Sequence, residues 1–133
     1  MRRRIGGCNC GQVRFEAAGE PSRVGFCHCQ TCRRESGSVG NFFAVWRSGE
    51  VVVTGETRSW RRTTYNRHSC PVCGSPVFGI EEGFDEIEIG VGALDDAPSG
   101  LAPSYELWTG RREKWFLPVA GAEQHAGNRK TPA

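Results

Sequence analysis

The sequence contains no run approaching the ~20 apolar residues that a membrane-spanning helix requires, so no membrane association is expected. It also lacks the apolar stretch of a secretory leader. Arg2, Arg3 and Arg4 lead directly into Gly6, Gly7 and Cys8, which points to the cytoplasm, where thiols stay reduced. Net charge is small: 17 Lys and Arg against 15 Asp and Glu leave +2. That balance disfavours a nucleic-acid partner. Apolar residues are scarce at 38% of 133, while Gly is frequent at 18. A loop-rich chain of this size needs staples beyond its core. No internal repeat and no long amphipathic helix is present, which leaves short strands as the building blocks.

What the chain does have is cysteine, seven in three tight clusters: Cys8-x-Cys10, Cys27-x-Cys29-x-x-Cys32 and Cys70-x-x-Cys73. Such spacing in a reducing compartment favours metal over disulfides, and an odd count cannot pair completely within one chain. Seven divides into a closed set of four and an open set of three. A four-ligand zinc site holds a fold together; a three-ligand site leaves a position for a substrate. That division points to an enzyme with two zinc ions per chain. Seven thiolates subtract seven charges and two zinc ions restore four, so the loaded chain moves from +2 to about −1.

Runs rich in Val, Ile, Thr and aromatics predict strands over 12–17, 23–27, 41–47, 50–54, 57–65, 76–80, 86–91 and 104–108. Glu86-Ile87-Glu88-Ile89 alternates cleanly and predicts one buried face. Only 30–36 reads as a helix, with Gly37 suited to its C-terminal cap. The expected class is mainly β with one or two short helical turns. A single zinc-binding domain over 1–120 and a disordered, polar tail over 121–133 complete the expectation.

Cys70-Pro71-Val72-Cys73-Gly74 has the form of a zinc knuckle, in which a tight turn aims two sulfurs at one ion. Cys8 and Cys10, two residues apart on extended chain, project from one face and supply the second pair. The competing arrangement puts all seven thiolates in one polynuclear cluster. In Cys27-His28-Cys29-Gln30-Thr31-Cys32, three sulfurs reach one ion if the chain passes from strand into helix. Either His28 closes that site as a fourth ligand, or it points the opposite way on extended chain and supports the ligands from behind. Arg33 and Arg34 could offset the thiolate charge or hold a substrate carboxylate; a solvated helix face is the plainer alternative. Phe42, Phe43, Trp46, Trp60, Trp108 and Trp115 could wall a cleft, against core packing as the ordinary use of large aromatics. Arg58, Arg61, Arg62 and Arg67 make a basic strand around Trp60.

These motifs resemble one family. Gly6-Gly7-Cys8-Asn9-Cys10-Gly11 with Val13-Arg14-Phe15 is similar to its opening motif. Cys27-His28-Cys29-x-x-Cys32-Arg33-Arg34-x-Ser36-Gly37-Ser38 is similar to its central one. Arg67-His68-x-Cys70-x-x-Cys73-Gly74-Ser75, Leu94-Asp95-Asp96, Trp108 and Trp115 complete the pattern. The chain is thus identified as resembling the glutathione-dependent formaldehyde-activating enzymes, a family that includes centromere protein V. The resemblance implies a zinc-stapled antiparallel β-tent. It implies structural zinc on Cys8, Cys10, Cys70 and Cys73, and catalytic zinc on Cys27, Cys29 and Cys32. The implied activity is of the carbon–sulfur lyase type, joining glutathione to formaldehyde. Two departures stand out: Glu106-Leu107-Trp108 where the family often carries His-Ile/Leu-Trp, and Lys114 before Trp115 where a Pro is usual.

The expected chemistry is thiol activation, since a free thiol with pKa ≈ 8.5 is mostly protonated at neutral pH and metal coordination removes its proton. His28 and Arg33 are expected behind the catalytic ligands; Arg34, Ser36 and Trp46 are expected to contact glutathione. His28, Ser36 or water would protonate the product oxygen. The expected partners are a small thiol and an aldehyde, and a homodimer is compatible with the sequence. The competing function is a non-catalytic zinc module that binds a protein or nucleic acid; a third is metal storage or sensing.

Overall fold

Short alternating segments at the N-terminus give the first sheet. In the computed structural model, which describes residues 2–129, β1 (Arg3–Gly7) pairs antiparallel with β2 (Arg14–Ala18), and β2 pairs antiparallel with β5 (Val51–Thr54). Phe15 and Ala17 of β2 are buried while Glu16 between them is exposed, the period-two signature of a one-faced sheet.

The chain folds as two compact units, each from two separated segments. Within the described residues, one comprises 2–22 and 44–100, the other 23–43 and 101–129. The residues of the expected domain over 1–120 thus fall in both units, and tail residues 121–129 fall in the second.

The first unit adds a meander to the three-stranded sheet. β6 (Arg58–Arg61), β7 (Tyr65–Ser69), β8 (Pro76–Glu81) and β9 (Glu86–Gly90) pair antiparallel in sequence order. Ile87 and Ile89 of β9 are buried between part-exposed glutamates, as the alternation predicts. The strand expected over 57–65 is corrected. It stops at Arg61, bends through 62–64 and returns as β7. No residue in β7 is fully buried, so it carries no alternation to read and owes its strand state to its ladder partners. β1 likewise gives no sequence signal, because arginines and glycines fill it.

The second unit is built on β3 (Arg23–Cys27), α1 (Gln30–Ser36), β10 (Tyr105–Leu107) and β11 (Glu123–Gln124). β10 runs parallel to both β3 and β11. The fold is mainly β as expected, but these parallel pairs make it mixed rather than purely antiparallel. Gly25 permits the close packing here: a Cβ on it would lie 2.7 Å from the rings of Phe43 and Tyr105. β4 (Asn41–Arg47) carries the chain from the second unit into the first, and Ala44, Val45 and Trp46 on it have no exposed surface. α1 spans the expected residues; Gly37 takes φ 65° and returns its N–H to the Arg33 carbonyl. Where a disordered tail is expected, residues 121–129 include β11, and the rest of that expectation, 130–133, lies outside the described residues. Among the described residues no helix is long and apolar enough to cross a membrane.

Candidate metal centres

The first centre lies wholly within the first unit. Cys8 leaves the end of β1 in a turn whose Val13 N–H returns to the Cys8 sulfur at 3.2 Å. Cys70 leaves β7 in a knuckle closed by Gly74 N–H to the Cys70 carbonyl at 2.9 Å, with Gly74 at φ 78°. An L-residue with a side chain is strained there. The amides of Val72 and Cys73 approach the Cys70 sulfur at 3.3 and 3.4 Å. Asn9 ties the two loops together through its backbone and side-chain nitrogens, both donating to Ser75 Oγ.

The four sulfurs of Cys8, Cys10, Cys70 and Cys73 lie within 4.8 Å of one another, and Cys10 Sγ stands 3.7 Å from both Cys8 Sγ and Cys70 Sγ. Sulfurs at ≈ 2.3 Å from a tetrahedral zinc stand about 3.8 Å apart, the spacing that Cys10 keeps to Cys8 and Cys70, so the four sulfurs could hold such an ion. All seven cysteines are free, and amide N–H groups aimed at sulfur favour thiolates. The Val13 amide holds Cys8 below the ordinary thiol range, and the Ser75 hydroxyl and amide bring Cys73 down to about 5. The sulfurs sort into this group of four and a separate three, not one seven-sulfur cluster.

The second centre lies wholly within the second unit. Cys27 ends β3, Cys29 caps α1 by accepting from Cys32 N–H at 3.3 Å, and Cys32 sits in the first turn of α1. Their sulfurs also lie within 4.8 Å of one another, and among the described residues no histidine, carboxylate or further cysteine joins the group. Hydrogen bonds from the Cys27 and Cys32 thiols hold Cys29 below the ordinary thiol range. Donation to Cys29 and Cys32, together with burial, pushes Cys27 up. Cys29 is the least buried residue of the three. The three residues fit a metal that prefers thiolates.

His28 points away from the sulfurs. On extended chain Cys27 and Cys29 share one face, and Phe26 and His28 share the other. The imidazole is fully buried, 4.7 Å from the Phe26 ring and edge-on to Phe116 at 5.3 Å. Its Nε2 donates to Glu106 Oε1 at 2.7 Å, and its Nδ1 has no partner. His28 thus does not join the three sulfurs as a fourth ligand here.

Glu106 is the functional candidate that sequence reasoning missed. It has no exposed surface, yet its carboxylate is fully engaged. Beside His28, Oε2 accepts from Gln124 Nε2 at 2.8 Å and Val119 N–H at 2.9 Å, with Arg112 at 3.4 Å. Burial alone would raise its pKa; the bonds from Gln124, His28 and Val119 and the Arg112 charge outweigh it and bring it to about 2. The available signal was a single charge inside the short run Tyr105–Leu107, a place where an acid persists only with partners.

The remaining expected residues divide. Arg33 turns to Glu113 at 2.6 Å and the Arg111 carbonyl at 3.2 Å, which anchors α1 to the 111–113 segment. Arg34 is exposed, and Ser36, also exposed, bonds the Arg33 carbonyl and the Ser38 amide at the helix end. Trp46 is corrected: with no exposed surface and its indole N–H donating to the Gly19 carbonyl, it has no face for a ligand. Phe43 is core as well. Trp60, Trp108 and Trp115 keep exposed surface, and Trp108 adopts the left-handed conformation at φ 56° with its indole bonded to Asn128.

Residues 3–111 match the family model described as glutathione-dependent formaldehyde-activating enzyme. No curated protein matches the sequence. Among solved structures, the chain is similar to a Rhodobacter sphaeroides protein determined as a structural genomics target. The TM-score is 0.60 at 21% identity, over 74% of this chain and 97% of that one. At that identity the likeness carries the fold alone.

Proposed function

The chain belongs to the glutathione-dependent formaldehyde-activating enzyme family, and on that premise we propose that it adds a thiol, glutathione, to formaldehyde or a related small electrophile at Cys27, Cys29 and Cys32. The observation that carries this reading is the three-sulfur group, which no fourth side chain among the described residues completes. Zinc held there would supply thiol ionisation, keeping an added sulfur as its thiolate at neutral pH.

In the overall reaction the thiol sulfur forms a bond to the aldehyde carbon. The carbonyl π pair moves to oxygen, and the proton lost by the thiol ends on that oxygen. The protein's part is to hold both reactants close, which converts a bimolecular encounter into an internal step. Cys29 and Cys32 stand on α1 and its cap, and the Arg33–Glu113 pair fixes that helix. Arg34 and Ser36, exposed on α1, are our candidates for contact with glutathione carboxylates. His28 is buried with its Nε2 committed to Glu106, which leaves Ser36 or water to protonate the product oxygen. Seven free cysteines suit a reducing compartment, and we read the protein as cytoplasmic.

The test is the rate of adduct formation, followed by NMR with formaldehyde and glutathione. The zinc-replete wild type is expected to exceed the uncatalysed rate, and Cys32→Ser to return to it while staying folded. A wild-type rate equal to the blank would favour the non-catalytic zinc module.

A further inference from the structure

The three-cysteine centre takes its ligands from one short stretch of chain, and the residue between two of them is tied to the strand behind it. His28 sits between two of the sulfurs in sequence and on the opposite face. It is held at two points: its backbone N–H donates to the Leu107 carbonyl at 3.0 Å, and its ring Nε2 donates to Glu106 Oε1 at 2.7 Å. Both acceptors belong to β10. The parallel register sets Leu107 beside Cys27 and Glu106 beside Phe26, which puts Glu106 on the face that Phe26 and His28 share. The carboxylate is itself fixed by Val119, Gln124 and Arg112. Phe26 and Phe116 pack against the imidazole, so the ring has little freedom to turn.

We propose that Glu106 is a positioning residue for the three-cysteine centre, holding the Cys27 and Cys29 sulfurs at ligand spacing through its bond to His28. The proposal rests on the reading of Cys27, Cys29 and Cys32 as a metal centre. A change at Glu106 leaves the sulfurs in place chemically but frees the chain between two of them. The buried Nε2–H of His28 also loses its acceptor, which disfavours the ring orientation seen here. In Glu106→Gln the amide cannot serve both ends of the network. Turned to accept from His28, it presents N–H to the donors Val119 and Gln124.

Zinc affinity at each centre, measured by chelator competition on the full chain, tests this. Glu106→Gln is expected to weaken the three-cysteine centre ~10–100-fold, the usual effect of removing a group that orients a ligand loop. The four-cysteine centre should keep its wild-type affinity. His28→Leu fills the slot between Phe26 and Phe116 but breaks the bond, and should show the same selective loss. The double variant should lose no more than either single one, because both cut one connection. If Glu106→Gln fails to fold, His28→Leu carries the measurement. Affinities at the three-cysteine centre within twofold of wild type in the variants that fold, whatever the melting temperatures, would overturn the proposal. A wild type that holds two zinc ions but adds no thiol to formaldehyde defeats the proposed function alone, and the affinity ratio still decides the role of Glu106.

Discussion

The two cysteine centres differ in where their sulfurs come from. The first joins two loops separated by 60 residues at Cys10 and Cys70; the second gathers Cys27, Cys29 and Cys32 from one strand end and the turn that follows. Closing a long loop removes far more freedom from the unfolded chain than closing a short one. A metal in the first centre is therefore expected to act on folding, and one in the second to add little to it. The support behind the two differs correspondingly. Backbone amides and Ser75 surround the first. The second is backed by a buried imidazole on a buried carboxylate, the arrangement expected where position rather than linkage is the need.

The largest effect should come from cutting the long link. Cys70→Ser removes a ligand that holds both loops. A structural zinc is worth roughly 10–16 kcal/mol of apparent binding energy, against a net stability on the order of 5–15 kcal/mol for a domain. The variant is expected to lose its cooperative melt by circular dichroism, whereas Cys32→Ser should keep one. Equal melts for the two would erase the distinction between the centres.

A smaller effect sharpens the account of the second centre. Glu106 has its folded pKa lowered from 4.5 to about 2, so its stabilisation is complete above pH 4.5 and is lost as pH falls through about 2. The shift corresponds to a few kcal/mol, on the order of 3. Wild type should melt well above Glu106→Gln at pH 6, and the gap should narrow as pH falls from about 4.5 towards 2. A gap that stays constant with pH would show that the carboxylate charge is not what stabilises the network.

The smallest effect concerns an exposed pair in the first unit. Arg14 engages Asp95 with both terminal guanidinium nitrogens, and its bonds hold the Asp95 carboxyl below the usual range. Both side chains are 41% exposed, so solvent screens them. Arg14→Met is expected to move the denaturant midpoint only slightly, as loss of an exposed pair does. A loss comparable to that of Glu106→Gln would mean that burial is not what sets the two pairs apart.

The two cysteine groups were legible in the sequence because their spacing is local: two residues between Cys70 and Cys73 prescribe a knuckle whatever surrounds it. Strands over 23–27 and 41–47 and the helix over 30–36 were legible for the same reason, since side-chain pattern and the Gly37 cap act over a few residues. β7 was not legible, because its residues are uniformly half-exposed and only its neighbours in the sheet make it a strand. Trp46 was misread because an aromatic suits a core and a cleft equally until its surroundings are known. Glu106 was noticed only as a departure from the family pattern. Its meaning depends on parallel pairing with β3 and on bonds to Val119 and Gln124, which join segments no local pattern connects.

The central claim is that the chain carries two metal centres of different kind, one that staples and one that works. Elemental analysis of zinc per chain in wild type and Cys32→Ser, each prepared zinc-replete and checked for folding, tests it most directly. The account predicts two zinc ions in wild type and one in a folded Cys32→Ser. One zinc in wild type, or two retained in Cys32→Ser, would contradict it.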